Sequence, residues 1–163
     1  MKLHAMPWAA ALMLSTACTA SNAETPSPAQ SSTDDLASQV LTREKSTIAE
    51  EAWGRFITYS EGTTFGTMDS LTGVAEINPG EQIHPPHVHA EEEYLMVLEG
   101  TGEWHLNGRD FPAKAGDMIY ARPWDIHGIK NTGETVLKFV VWKWNSKGIT
   151  PLPAPTDLLS GEE

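Results

Sequence analysis

The chain has 163 residues, 22 of them acidic against 11 basic, for a formal net charge of −11 with histidine neutral. That balance excludes a nucleic-acid binder, which needs clustered lysine and arginine to neutralise phosphates, and argues against attraction to anionic lipid surfaces. One cysteine, Cys18, excludes a disulfide within the chain and leaves the folded part without thiolate metal ligands or a thiol nucleophile.

Met1-Lys2 and the apolar stretch whose clearest part is Ala9 to Leu14 make residues 1–23 a secretory signal, too short for a permanent membrane span. Two cleavage readings are open. Ser21-Asn22-Ala23 supplies the small residues that an ordinary signal peptidase prefers. Leu14-Ser15-Thr16-Ala17-Cys18 resembles a bacterial lipoprotein box, which would put a lipid anchor on Cys18. The expected location is therefore outside the cytoplasm: periplasmic, cell-envelope lipoprotein, or secreted. Removal of the signal leaves enough chain for one domain with a real core.

Residues 24–33, ETPSPAQSST, carry almost no large apolar groups and read as a disordered linker, since they bury too little surface to offset chain entropy. Over 34–52 a short N-terminal helix is expected: Asp34-Asp35 offers a cap, and Leu36, Val40 and Ile48 recur at loosely helical spacing.

From Trp53 to Gly148 short β-rich runs alternate with turn residues, the pattern of an all-β sandwich or barrel. Strands are expected at Trp53–Tyr59, Leu71–Ile77, Glu93–Leu98, Gly102–Leu106, Asp117–Ala121, Asp125–Lys130 and Thr135–Trp144. Asn107-Gly108 is a hairpin signal, because both residues tolerate positive φ. In the last run both faces are largely apolar, so both should be covered, by the 34–51 helix or by a second subunit. Residues 149–163 form a Pro-rich tail.

The chemistry concentrates in Pro79–Gly100, PGEQIHPPHVHAEEEYLMVLEG. If His87-Val88-His89 is extended, both imidazoles point to one face, because strand side chains alternate. Glu93 shares their parity and opens an apolar run. Two same-face histidines and a carboxylate leading into a strand have a direct metal-coordination rationale. Glu91 and Glu92 read as solvated turn acids, either of which replaces Glu93 if the register slips. His84 is open as a cavity-mouth group, a fifth ligand or an exposed loop residue.

A second segment runs from Gly116-Asp117 through Pro123-Trp124-Asp125-Ile126-His127 to Asn131. Together the two stretches resemble the paired motifs of the cupin superfamily. His87, His89, Glu93 and Gly100 fill the first motif, and Gly116, Pro123, His127 and Asn131 the second. Two departures concern loop shape: six residues, against the usual five, separate Gly80 from His87, and the Gly that follows the Pro is absent. The resemblance implies a single jelly-roll barrel (a double-stranded β-helix) over residues 53–148. It also implies one divalent transition metal held by His87, His89, Glu93 and His127, and a homodimer. Asp125, of the same strand parity as His127, is a candidate supporting or mouth carboxylate.

Three imidazoles and one carboxylate suit Fe, Mn, Ni, Cu, Co or Zn and disfavour an all-oxygen Ca or Mg site. On an octahedral ion they leave two positions for water, O₂ or a chelating substrate, the basis for expecting catalysis. Two functions follow from the resemblance. The first is a mononuclear metalloenzyme, dioxygenase-like or a metal-assisted lyase or isomerase, acting on a small metal-chelating molecule. The second is a non-catalytic envelope protein that binds a sugar or other small ligand. Cupin lyases of sulfonium acids carry a Tyr base two residues after the Glu; here Tyr94 follows Glu93 directly and should point away from the metal.

Overall fold

The structure, a computed structural model, describes residues 36–148 together with Pro153 and Pro155. The expected signal, the linker, Cys18 and the rest of the tail lie outside the described residues. Strand β1 (Thr47–Glu51) is followed by β2 (Gly54–Gly62), β3 (Thr67–Ile77) and β4 (Glu92–Glu99). Next come β5 (Thr101–Leu106), β6 (Arg109–Lys114), β7 (Met118–Ala121), β8 (His127–Lys130) and β9 (Leu137–Ser146). All pairs are antiparallel. They form a six-stranded sheet, β1-β2-β3-β9-β4-β7, facing a three-stranded sheet, β6-β5-β8. The fold is an all-β jelly roll.

The period-two pattern decides which side chains meet inside. On β9, Leu137, Phe139 and Val141 are buried, and on β4 so are Leu95 and Val97; Trp104, Ala113 and Ile129 close the core from the smaller sheet. Each large apolar side chain so buried stabilises by about 1.5–3 kcal/mol relative to exposure. Trp104 therefore faces in. His105, its neighbour, faces out, with Nδ1 2.7 Å from Asp110 Oδ1. The β5–β6 turn uses Asn107 (φ 49) and Gly108 (φ 77), the positive-φ pair that a two-residue hairpin needs.

Among the described residues of 34–52 the expected helix is absent. Within that span Arg43–Lys45 makes one 3-10 turn, and Thr47–Glu51 pairs with β2 as an edge strand, Ile48 opposite Ile57. The open edge of β2 offers a full ladder of backbone partners. The spaced apolar residues never form a buried face: Val40 is 80% exposed. Propensity here yields to tertiary pairing.

Outside the larger sheet, Trp142 and Trp144 are half-buried. Tyr94 stacks between Tyr120 and Trp144, ring centroids 4.7 and 5.8 Å away. These aromatics line the outer face and not the barrel interior.

Candidate metal centre

β4 carries Glu93 inward beside Leu95 and Val97, and β8 carries His127, which is 1% exposed. His87 and His89 come from the loop before β4. His87 pairs with His127 through two backbone hydrogen bonds, 2.9 and 3.0 Å, which extend the smaller sheet by one residue pair. His89 is tied to the loop before β8, because its carbonyl accepts the Trp124 N–H at 2.9 Å. In that loop Trp124 itself adopts φ 67, so a non-glycine residue supplies the left-handed turn where the second motif lacks its Gly. The result brings one donor atom from each of His87, His89, Glu93 and His127 within 4.8 Å of one another.

The ring tautomers follow from the carbonyls around them. His127 Nδ1 is 2.8 Å from the Asp125 carbonyl and His89 Nδ1 is 3.1 Å from the Glu91 carbonyl, so both Nδ1 atoms carry the proton. In each neutral ring Nε2 then presents a lone pair. Both Nε2 atoms face the same Glu93 oxygen, at 2.6 Å from His89 and 3.4 Å from His127. Lone pairs converging on a carboxylate require a cation between them, a proton or a metal ion. His87 Nδ1, in addition, is buried without a hydrogen-bond partner, and buried nitrogens of that kind are rare. The donor set fits a divalent transition metal.

Electrostatics agree with such a centre. Burial pushes His87 down to about 4, helped by the neighbouring His84, His127 and His89 rings, so it is neutral and able to ligate at pH 7. Burial works to raise Glu93, but hydrogen bonding to the His127 and His89 rings, with a proton on Nε2 in the place a metal ion would take, outweighs it and brings the carboxyl down to about 2. For His127, burial lowers the value, yet the Glu93 hydrogen bond and the Asp125 carbonyl win and raise it.

His87, Glu93 and His127 line a cavity of about 360 Å³ whose other walls are mainly apolar, Phe56, Leu71, Ile83, Leu95, Phe139 and Val141 among them. His84, exposed, lines it too, its ring edge-on to His87 with centroids 4.0 Å apart. Asp125 approaches the centre through its carbonyl on His127. Glu92 accepts the Tyr120 hydroxyl outside the barrel at 2.8 Å, so the register sets Glu93 in the site.

Residues 73–143 match the family model for the Cupin domain. The chain carries a cupin domain. An oxalate-binding protein of Thermotoga maritima is 37% identical over 65 residues, covering 40% of this chain and 54% of that protein. The dimethylsulfoniopropionate lyase of Ruegeria pomeroyi is 35% identical over 74 residues, 45% of this chain and 46% of the lyase. The chain thus spans about half the length of these curated relatives. Among solved structures, an uncharacterized conserved protein with a double-stranded beta-helix domain from Klebsiella pneumoniae is similar. It is 26% identical with a TM-score of 0.54, covering 69% of this chain and 95% of its own. This cupin has buried Leu95 two residues after Glu93, and Tyr94 stacks outside, so neither places a phenol in the cavity.

Two residues near the centre have a place that the sequence does not show. Glu91, read as a turn acid or a substitute for Glu93, puts Oε2 3.3 Å from His89 Nδ1 and Oε1 3.7 Å from Lys143 Nζ. Lys143 lines the cavity. Its inward direction was legible in principle, since it shares the parity of Phe139 and Val141.

Proposed function

We propose that this cupin is a mononuclear metalloenzyme whose metal is held by His87, His89, Glu93 and His127, acting on a small metal-chelating organic molecule in the adjoining cavity. The observation that carries the reading is the convergence of two Nδ1-protonated imidazoles on one ionised carboxylate oxygen beside that cavity. A bound divalent ion would supply Lewis acidity or redox chemistry at positions the protein leaves open. The Asp125 and Glu91 carbonyls hold two imidazoles in the ligating tautomer. The apolar walls exclude water and grip the substrate's carbon skeleton. His84, packed on His87 at the cavity, is the group we assign to proton transfer. A dioxygenase-like reaction and a metal-assisted lyase or isomerase reaction both fit this arrangement, and the metal decides between them.

A second reading, non-catalytic capture of a small ligand, draws on the relative named as an oxalate-binding protein. Homodimer formation and export through residues 1–23, by ordinary cleavage or with a lipid on Cys18, belong to the same proposal.

The test is elemental analysis of the protein purified without chelator or affinity metal, beside a His87→Ala/Glu93→Ala double variant. One equivalent of Fe, Mn, Ni, Cu or Co, lost in the variant, supports the centre and directs assays to O₂ uptake. Stoichiometric Zn directs them to lyase and isomerase substrates. A ligand recovered unchanged across these assays favours capture. No metal even after reconstitution overturns the proposal.

A further inference from the structure

Lys143 stands directly opposite Glu93 in the β4–β9 register. Directly opposed residues project to the same face, so Lys143 points into the barrel with the ligand carboxylate, in line with Phe139 and Val141. A cation in such a row is unusual, because lysine is seldom placed inward without a paired charge. Its side chain is 28% exposed and lines the cavity. Glu91 Oε1, at 3.7 Å, lies beyond hydrogen-bond distance, so this ion pair leaves the ammonium with donors to offer.

The chain as a whole repels anions, with a net charge of −11. Glu51, exposed, adds a carboxylate to the cavity lining. A neutral or cationic ligand would need no lysine there. An anionic one needs some local cation to overcome the field. The remaining wall is apolar, and a volume near 360 Å³ equals about twelve waters at about 30 Å³ each.

We infer that the ligand of this cavity is a small organic acid with an apolar body, whose carboxylate is received by Lys143 while Phe56, Leu71 and Phe139 pack its hydrocarbon part. The inference rests on the proposed reading of the cavity as the ligand site and names the class of molecule it takes. Lys143 acts as a specificity group: it selects the carboxylate over the corresponding amide.

The experiment compares phenylpyruvate and benzoate with neutral benzamide, by calorimetric titration of the full chain, in both metal-free and Zn-reconstituted forms. The carboxylates are expected to bind at least tenfold more tightly than benzamide. Lys143→Met should lose at least tenfold in carboxylate affinity and leave benzamide unchanged, and Lys143→Arg should retain most of the preference. Glu91→Gln separates recognition from mere neutralisation of Glu91. If Lys143 serves the ligand, that variant binds carboxylates several-fold more tightly, and adding Lys143→Met abolishes the gain. Equal affinity for carboxylate and amide, no carboxylate binding at millimolar concentration, or unchanged affinity in Lys143→Met overturns the inference. Metal content measured on the same samples keeps the two readings apart: a chain that holds no metal yet prefers carboxylates through Lys143 sinks the metalloenzyme proposal alone.

Discussion

His87 and His127 exchange both of their backbone hydrogen bonds, which sets their rings side by side with centroids 4.8 Å apart. In an antiparallel pair of this kind both side chains leave on one face. The loop before β4 is thereby stitched to β8, and two imidazoles remote in sequence are fixed by main chain. The centre is thus built into the sheet, with little freedom to disperse when empty.

Metal removal should lower thermal stability. A ligand at a hundred times its dissociation constant stabilises the folded state by about 2.7 kcal/mol, worth about 10 °C in a domain of this size. Differential scanning calorimetry before and after chelation measures this. Glu93→Gln, which keeps the shape and loses the charge, should abolish most of the difference. A chelation shift equal in wild type and variant would place the ion elsewhere.

The metal-free protein should lose stability in acid in two stages. The folded His87 value, about 4 against an ordinary 6.5, means that the unfolded chain binds more protons between those values. Its contribution is therefore complete above pH 6.5 and is lost as pH falls toward 4. Glu93, at about 2 against 4.5, adds a second loss between pH 4.5 and 2. His127 runs the other way: raised above 6.5, its contribution is complete below 6.5 and lost as pH rises through its folded value. Urea denaturation at stepped pH should show a shallower slope from 6.5 to 4 in His87→Gln. An unchanged slope in that window would refute the assignment.

Asn131→Ala should cost about 2–4 kcal/mol with the urea m-value unchanged, because it strips several buried hydrogen bonds at once. Asn131 is fully buried, donates to the Ile77 and Thr135 carbonyls at 2.8 Å each, and accepts the Gly133 N–H at 2.9 Å. Metal stoichiometry of the surviving folded protein should be unchanged, which distinguishes this motif residue from the ligands.

Gly100→Ala should destabilise by more than about 2 kcal/mol, measured by chemical denaturation. Gly100 sits at φ 83, and an added Cβ would meet the Val136 carbonyl oxygen at 2.6 Å. Strain and a backbone clash act together there. Gly116, at φ 91 with open space around it, should tolerate Asn far better.

Much of this was legible in the residues. Short β-rich runs between turn residues marked the strands, and the Asn107-Gly108 turn announced its hairpin, because strand composition and turn chemistry are local properties. Spacing and residue type marked His87, His89 and Glu93 as one donor cluster, although a bend at 90–91, and not one continuous strand, brings them together. The expected N-terminal helix gives way to a 3-10 turn and to Thr47–Glu51 paired with β2, an edge invisible to local propensity. Glu91 reads in the sequence as a turn acid or a substitute for Glu93, and Lys143 carries no assignment there, because their pairing beside His89 exists only in the folded chain.

By itself, then, the sequence determined the all-β architecture, the pairing of two motifs and the donor types at the centre, all carried by short-range spacing and side-chain chemistry. Only the tertiary structure decided three further things: that His127 stands opposite His87, that the Asp125 and Glu91 carbonyls set the imidazole tautomers, and that Lys143 enters the cavity beside Glu93. Each depends on which strands lie together and in what register. Register is a property of the whole packed sheet, selected by burying one face of every strand at once.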